Sequence, residues 1–120
     1  MTSTSPNIYH IPQKVIEKST LAITLSTFVD ELNVATVRKT LTWGLFDPNG
    51  NVINSHGAES LTVTDPVSIL LKGDDLALGE ATTNNKRYVL IQGTYDSDLG
   101  TDNPLIVQVD FEIQNVVGLS

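Results

Sequence analysis

Leu105-Ile-Val-Gln-Val-Asp-Phe-Glu-Ile113 is the most regular stretch of this 120-residue sequence. Apolar residues hold every odd position from 105 to 113, and the even positions are mostly polar. A period of two is typical of a β-strand that buries one face and exposes the other. Because a slip of one residue would expose the whole apolar set, the segment predicts a strand with a fixed register.

Similar alternations occur earlier in the chain, at residues 21–25, 41–45, 61–64, 67–71 and 88–95. The first candidate strand, 8–16, contains Pro12, which confines the strand to a sheet edge or divides it into two short pieces. Residues 28–37 lack the alternation and mix acidic with apolar side chains. They therefore predict a long connection, with one helical turn as an option within it.

Turn residues separate the candidate strands. Asp47-Pro-Asn-Gly-Asn51 predicts a tight turn, because proline and glycine suit its central positions. Residues 52–54 should then return as a strand. Residues 73–79 have glycine at each end and predict a compact crossover, in which Leu76 and Leu78 cover the bottom of the core.

Seven to eight short strands predict an all-β fold, an antiparallel immunoglobulin-like β-sandwich, with a small barrel as the alternative. Trp43 falls in the third strand, where such sandwiches often bury a tryptophan. Residues 8–120 form the single predicted domain, and 1–7 are predicted to be a flexible N-terminal arm. The predicted core consists of Leu25, Trp43, Leu45, Ile69, Ile91, Val107, Val109 and Phe111.

Acidic residues outnumber basic ones by fourteen to seven, which gives a net charge of −7. This charge repels phosphate backbones and anionic lipid surfaces, so nucleic acid and membranes are poor partners. The chain has no cysteine, which excludes disulfides, thiolate nucleophiles and cysteine metal sites. The sequence opens without a basic stretch or an apolar run, so we expect neither a secretion signal nor a membrane span.

No catalytic constellation is visible, and we expect no enzymatic activity and no cofactor. His10 lies in the proline-interrupted segment and His56 in a polar loop, and both are interpreted as ordinary surface or edge residues. Asp74 and Asp75 are adjacent, and adjacent turn residues commonly point apart, so capping and solvation account for them. A small hydrolase on a β-sandwich is the competing enzymatic hypothesis.

The segment Asp96-Ser-Asp98-Leu-Gly-Thr-Asp102-Asn103 precedes the last strand. Asp96, Asp98 and Asp102 offer oxygen ligands at spacings of two and four, which partly matches a calcium loop. However, the glycine stands one place early for an EF-hand, and no glutamate occupies the twelfth position. Aspartate and glycine are also common in hairpin loops, so we interpret the segment as a loop without metal, with a calcium site as the alternative.

Leu70, Leu90 and Ile106 fall on the outward faces of three predicted strands. This apolar surface predicts contacts with other proteins, or coverage by the chain's own loops or first strand. A carbohydrate could instead contact Tyr9, Tyr88 and Tyr95, although aromatic residues make up only 6% of the chain.

Three stretches carry a resemblance: Leu41-Thr-Trp-Gly-Leu-Phe-Asp-Pro-Asn-Gly-Asn-Val52, Ser68-Ile-Leu-Leu-Lys-Gly-Asp-Asp-Leu-Ala-Leu78 and Arg87-Tyr-Val-Leu-Ile-Gln-Gly-Thr-Tyr-Asp-Ser-Asp-Leu-Gly100. Over residues 20–118 the chain resembles small bacteriophage and prophage proteins with an immunoglobulin-like fold. The resemblance implies a non-enzymatic virion protein, which is a capsid decoration or cement protein or a tail or connector component. Its motifs are turns and strands, so no catalytic residue is carried over.

The resemblance also implies a location in the virion, with assembly in the host cytoplasm, a reducing compartment that suits a chain without cysteine. Other virion proteins, and further copies of the chain in a homo-oligomer, are the implied partners. An extracellular adhesion or carbohydrate-binding β-sandwich module is the alternative. Capsid or tail genes beside this gene would favour the virion, and a sugar operon would favour the binding module.

Overall fold

The computed structural model describes residues 8–25, 28–64, 66–78 and 85–114. The strands in these ranges are β1 (Ile8–His10), β2 (Val15–Ile16), β3 (Thr20–Leu25), β4 (Phe28–Val29), β5 (Ala35–Thr36), β6 (Arg38–Phe46), β7 (Glu59–Ser60), β8 (Val67–Lys72), β9 (Lys86–Ser97) and β10 (Gly100–Gln114). A short 3₁₀ helix, Gly73–Leu76, follows β8. The fold is therefore all-β, as the alternation predicts, and the predicted arm 1–7 lies outside the described residues.

The larger sheet has the strand order β1-β10-β9-β6-β7, and β2 joins it by pairing with β10 beyond β1. β9 pairs antiparallel with both β6 and β10, whereas β1 and β2 run parallel to β10. The prediction of a purely antiparallel arrangement is wrong for these two strands. Period-two alternation indicates which side chains are buried, but it contains no information on the direction of the neighbouring strand.

β1 and β2 are the two pieces of the first predicted strand. They are separated around Pro12, which confirms the prediction that the proline divides this strand. The smaller sheet contains β3 and β8, which pair antiparallel over the whole of both strands. β4 and β5 form a separate antiparallel pair in the segment that sequence predicts to be a connection.

Both sheets contribute side chains to one hydrophobic core. All but one of the predicted core residues are buried: Trp43, Leu45, Ile69, Ile91, Val107, Val109 and Phe111. Leu25, at the end of β3, is half-buried and packs against the core. Leu76 and Leu78 are buried where the crossover was expected to cover the core.

Two predicted strands are absent from the described part of the chain. Residues 52–54 follow the turn, but Val52 makes only an isolated bridge with Phe46. Asn54 and Ser55 then take positive φ values of 53° and 64°, a left-handed conformation that ends a ladder. Residues 61–64 place Leu61 against Leu41 through one backbone hydrogen bond and form no further ladder.

No helix in the described ranges has the length and apolar content needed to cross a membrane.

Candidate functional site

The larger sheet has an outer face, directed away from the core, that carries a mixed polar and apolar surface. Register places the following residues on it: Ile8 and His10 of β1, Ile106, Gln108 and Asp110 of β10, Tyr88, Leu90 and Gln92 of β9, and Thr42, Gly44 and Phe46 of β6. Ile8 and Ile106 are 54% and 50% exposed. We call this surface the outer sheet face.

A shallow depression of about 390 Å³ lies on the outer sheet face. Its lining combines aromatic, aliphatic and polar side chains: Phe46, Asp47, Pro48, Gly50, Tyr88, Leu90 and Gln108. The Phe46 ring lies close over Gly44, since a Cβ at Gly44 would stand 2.7 Å from the ring's Cε2. Glycine at position 44 therefore allows the ring to lie against the sheet.

Asp47 lies at the rim of this depression and organises the turn there through hydrogen bonds. Its Oδ1 accepts hydrogen bonds from the backbone N–H groups of Asn49 and Asn51, each at 2.9 Å, and its Oδ2 accepts from Asn51 Nδ2 at 3.2 Å. These bonds, the Asn51 backbone bond first among them, hold the pKa of Asp47 below its ordinary value. The predicted turn is thus present, with Gly50 at φ 84°.

His10 and Asp110 form a side-chain pair on the outer sheet face. His10 Nδ1 lies 2.6 Å from Asp110 Oδ1, and the Asp110 side chain is 7% exposed against 72% for His10. His10 is thus an exposed residue of an edge strand, as the sequence predicts, and it covers a buried carboxylate. This pair attaches β1 to β10 through side chains as well as backbone.

The three outward apolar residues of the sequence prediction divide between the two sheets. Leu90 and Ile106 both lie on the outer sheet face, on neighbouring strands. Leu70 lies on β8 in the smaller sheet and is 53% exposed. Of these three residues, only Leu90 and Ile106 can therefore belong to one contact surface with Phe46 and Tyr88.

His56 bridges two carboxylates at one end of the core. Its Nδ1 lies 2.9 Å from Glu59 Oε1, and its Nε2 lies 2.7 Å from Asp75 Oδ1. The imidazole also packs on Trp43, with ring centroids 4.6 Å apart. A carboxylate only accepts hydrogen bonds, so both contacts are hydrogen bonds when the imidazole is protonated and carries two N–H groups.

Asp75 anchors this histidine bridge, which consists of His56, Glu59 and Asp75. Its Oδ1 also accepts from Asn54 Nδ2 at 2.8 Å, and its Oδ2 accepts from the backbone N–H of Lys72 at 3.1 Å. Burial would raise the pKa of Asp75, but these hydrogen bonds outweigh it and lower the pKa. Capping of the 3₁₀ helix is thus one role of Asp75, as expected, and Asp74 is exposed. The expected solvation is wrong for Asp75, which is only 6% exposed because it packs under His56 and Asn54.

The protonation of His56 follows from the same geometry. Burial acts to lower the pKa of His56, but the hydrogen bonds to Glu59 and Asp75 and their negative charges raise it above its ordinary value of 6.5. His56 is therefore not the ordinary surface residue that the sequence predicts. Its partners lie 3 and 19 positions away in separate elements, and no local pattern indicates this meeting.

The acidic segment 96–103 does not precede the last strand as predicted, because it spans the end of β9 and the start of β10. A lysine ammonium lies between two of its carboxylates. Lys39 Nζ lies 2.5 Å from Asp102 Oδ1 and 3.2 Å from Asp96 Oδ1. Asp96 Oδ1 also accepts from the Asp102 backbone N–H at 2.8 Å. Among the described contacts Asp98 takes no part in this group, so two of the three residues of the calcium hypothesis meet, around an ammonium group. The described residues contain no cluster of three or more histidines or acids arranged to hold a metal.

The three tyrosines do not form one platform. Tyr88 lies on the outer sheet face, whereas Tyr9 is opposite Val109 and Tyr95 opposite Asn103, on the other side of the strands. Tyr9 and Tyr95 are six register positions apart, about 20 Å along the sheet. Tyr95 donates a hydrogen bond to Glu31 Oε1 at 2.6 Å, which raises the pKa of Tyr95 to about 12.

Comparison of the chain with protein-family models, with curated proteins and with solved structures finds no match.

Proposed function

We propose that this chain is a non-enzymatic structural protein of a bacteriophage virion, a capsid decoration or cement protein or a tail or connector component. It would act through protein–protein contacts made by its outer sheet face. The observation that carries this proposal is the exposure of Ile8 and Ile106 beside Leu90, Tyr88 and Phe46 on one face. Exposed apolar patches on a sheet are typical of protein contact sites.

The proposal includes an immunoglobulin-like sandwich. Its support is the pairing of β3 with β8 in one sheet and of β6, β9 and β10 in the other, since sequence neighbours are then split between sheets as in a Greek key. The buried Trp43 on the first long strand of the larger sheet also agrees with it. Such sandwiches present one sheet face to partners while the other face packs the core.

A carbohydrate-binding module is the second candidate, and the depression is the observation that favours it. Phe46 and Tyr88 line it together with the polar groups of Asp47 and Gln108. Aromatic rings combined with a few polar groups are typical of small-ligand sites. The depression is shallow, however, and a protein side chain from a partner would fill it equally well.

Ile106→Lys tests the contact surface, with Leu70→Lys as its matched control. The two residues are 50% and 53% exposed, both lie in strands, and the two variants gain the same charge. We expect Ile106→Lys to reduce self-association in analytical ultracentrifugation and Leu70→Lys to leave it unchanged. Equal effects of the two variants would contradict a contact role for the outer sheet face.

The virion assignment needs its own experiment. An antibody against this chain, applied to phage particles induced from the host that carries the gene, should label capsid or tail in electron microscopy. Particles that lack the protein, together with binding of the purified chain to a glycan array, would replace the virion proposal by the carbohydrate-binding one.

A further inference from the structure

β3 is an edge strand of the smaller sheet. Within the residues that the structure describes, β8 is the only strand paired with it. No described strand pairs with the backbone N–H and C=O groups on the other side of β3, so a further strand can bind them. β1 and β2, the segments that precede β3, pair with β10 in the larger sheet.

This edge has no feature that would prevent strand addition. Natural edge strands commonly carry charges, prolines or bulges that block pairing with another chain. Thr20–Leu25 contains no charged residue and no proline, and its register with β8 is regular from Thr20 to Leu25. The edge is consequently a suitable template for an added strand.

Within the described ranges the core is also incompletely covered beside this edge. Leu21 and Leu25 are directed inward on β3 but are only half-buried, whereas their β8 partners Leu71 and Val67 are 0% and 3% exposed. Every second side chain of a strand added to β3 would lie on this inner side. An added strand with apolar residues at alternate positions would therefore cover Leu21 and Leu25.

Residues 115–120, Asn-Val-Val-Gly-Leu-Ser, have the chemistry for this position. They carry no charge, and Val117 and Leu119 alternate as an inner face requires. Six extended residues span about 20 Å, which is the length of a six-residue strand such as β3. Residues 1–7 fit less well, because they offer no apolar side chain between Met1 and Pro6, and Pro6 has no N–H to donate.

Residues 115–120 can reach the β3 edge of a second copy more readily than the β3 edge of their own chain. β10 ends at Gln114 beside Ile16, and β3 starts only a few residues after Ile16. Residues 115–120 would have to reverse direction to run along their own β3, and a tight reversal uses about two of them. A neighbouring molecule can present its β3 without this reversal.

We propose that the open edge of β3 binds residues 115–120 of a second copy of this chain as an added strand. The proposal rests on the assembly role proposed above and gives that role a geometry. The contact joins two different surfaces, so it is head-to-tail and produces a closed ring or a filament.

Disulfide cross-linking tests the contact directly, because the chain contains no cysteine of its own. One protein carries Ala22→Cys, at an exposed position of β3, and the other carries Val116→Cys. When the two proteins are mixed and oxidised, we expect a cross-linked heterodimer. Deletion of residues 115–120 from the protein that carries Ala22→Cys should not change the yield of this heterodimer. Leu70→Cys, exposed on β8, should give no such product with Val116→Cys.

Three results would overturn the proposal. One is the absence of the heterodimer. Another is a cross-link that forms only when both cysteines are in one chain, which would place the segment on its own β3. The third is loss of the heterodimer on deletion of residues 1–7 from both proteins. If the antibody still labels phage particles, the proposed function stands although this contact does not.

Discussion

The protonation of His56 makes the stability of the folded chain depend on pH. A group whose pKa is raised on folding adds stability that is fully present below its unfolded pKa and is lost as the pH rises through the folded pKa. For His56 that loss begins above about pH 6.5 and continues through the raised pKa. We expect the melting temperature to fall over this interval in a series of calorimetric scans.

The chain's other histidine provides the control. His56→Gln should remove the decline above pH 6.5, because glutamine does not titrate, whereas His10→Gln should retain it. Asp75 has its pKa lowered, so its contribution is lost on the acid side, as the pH falls below the ordinary value of 3.8 toward the lowered pKa. An unchanged alkaline decline in His56→Gln would show that the bridge does not link folding to protonation.

The burial of single residues can be predicted from the sequence only where buried positions alternate regularly along a strand. The odd positions from Leu105 to Ile113 are buried because a strand alternates its faces, and Trp43 follows the same rule. His56 escapes prediction, since its environment is built from Trp43, Glu59 and Asp75, which meet only after two loops and a 3₁₀ helix have formed.

At the scale of a strand, Gly93 is the position where β9 tolerates no side chain. A Cβ there would lie 2.0 Å from the backbone oxygen of Thr40, at the irregularity where β6 shifts register between Arg38 and Thr40. Gly93→Ala must displace one of these backbones, and overpacking of this kind costs about 1–3 kcal/mol. Chemical denaturation measures this loss.

Gly57→Ala is the matched substitution. Its Cβ would meet only Val52, at 3.7 Å, which is ordinary contact, and its φ is not positive. The free energy of unfolding should then change little. If both variants unfold at the same denaturant concentration, the close approach of β6 and β9 at Gly93 is not a constraint on stability.

The acidic residues at the end of the β9–β10 hairpin allow a test of calcium binding. Because the Lys39 ammonium already lies between Asp96 and Asp102 and offsets one of their two negative charges, millimolar calcium should leave the melting temperature unchanged. A ligand that bound only the folded chain at a hundred times its Kd would add about 2.7 kcal/mol, which a thermal scan detects readily. A calcium-dependent rise that Asp98→Ala abolishes would establish the calcium site instead.

A strand can be predicted from alternation of apolar and polar residues only if it is long enough to show that period. β8, β9 and β10 coincide with the strongest patterns, but β4 and β5 are two residues each and too short to show a period. Their loop is organised by Asp30, whose Oδ1 accepts from the backbone N–H groups of Leu32 and Val34. Such side-chain turns do not repeat along the sequence and leave no periodic signal.

Across the whole molecule, the charge of −7 opposes association of identical copies. The contacts proposed for the outer sheet face and for β3 are mainly apolar or backbone contacts, so screening the repulsion should strengthen them. Raising the salt from about 0.01 M to 0.15 M shortens the screening length from about 30 Å to 8 Å. Sedimentation velocity should show more oligomer at the higher salt.

Ile106→Lys separates charge from apolar contact in the same measurement. The variant reduces the net negative charge by one, so repulsion alone predicts more oligomer, whereas loss of the apolar contact predicts less at both salt concentrations. An oligomer that dissociates as salt rises would indicate ionic complementarity and contradict the apolar interface.

The parallel pairing of β1 and β2 with β10 has a consequence for synthesis. His10 and Asp110 are separated by 100 positions. At ribosomal speeds of about 5–20 residues per second, the first strand waits roughly 5–20 s for its neighbour to be translated. Closing so long a loop also makes this one of the slow steps of folding. A nascent chain that stops before β10 lacks the strand with which β1 and β2 pair in the described part of the structure.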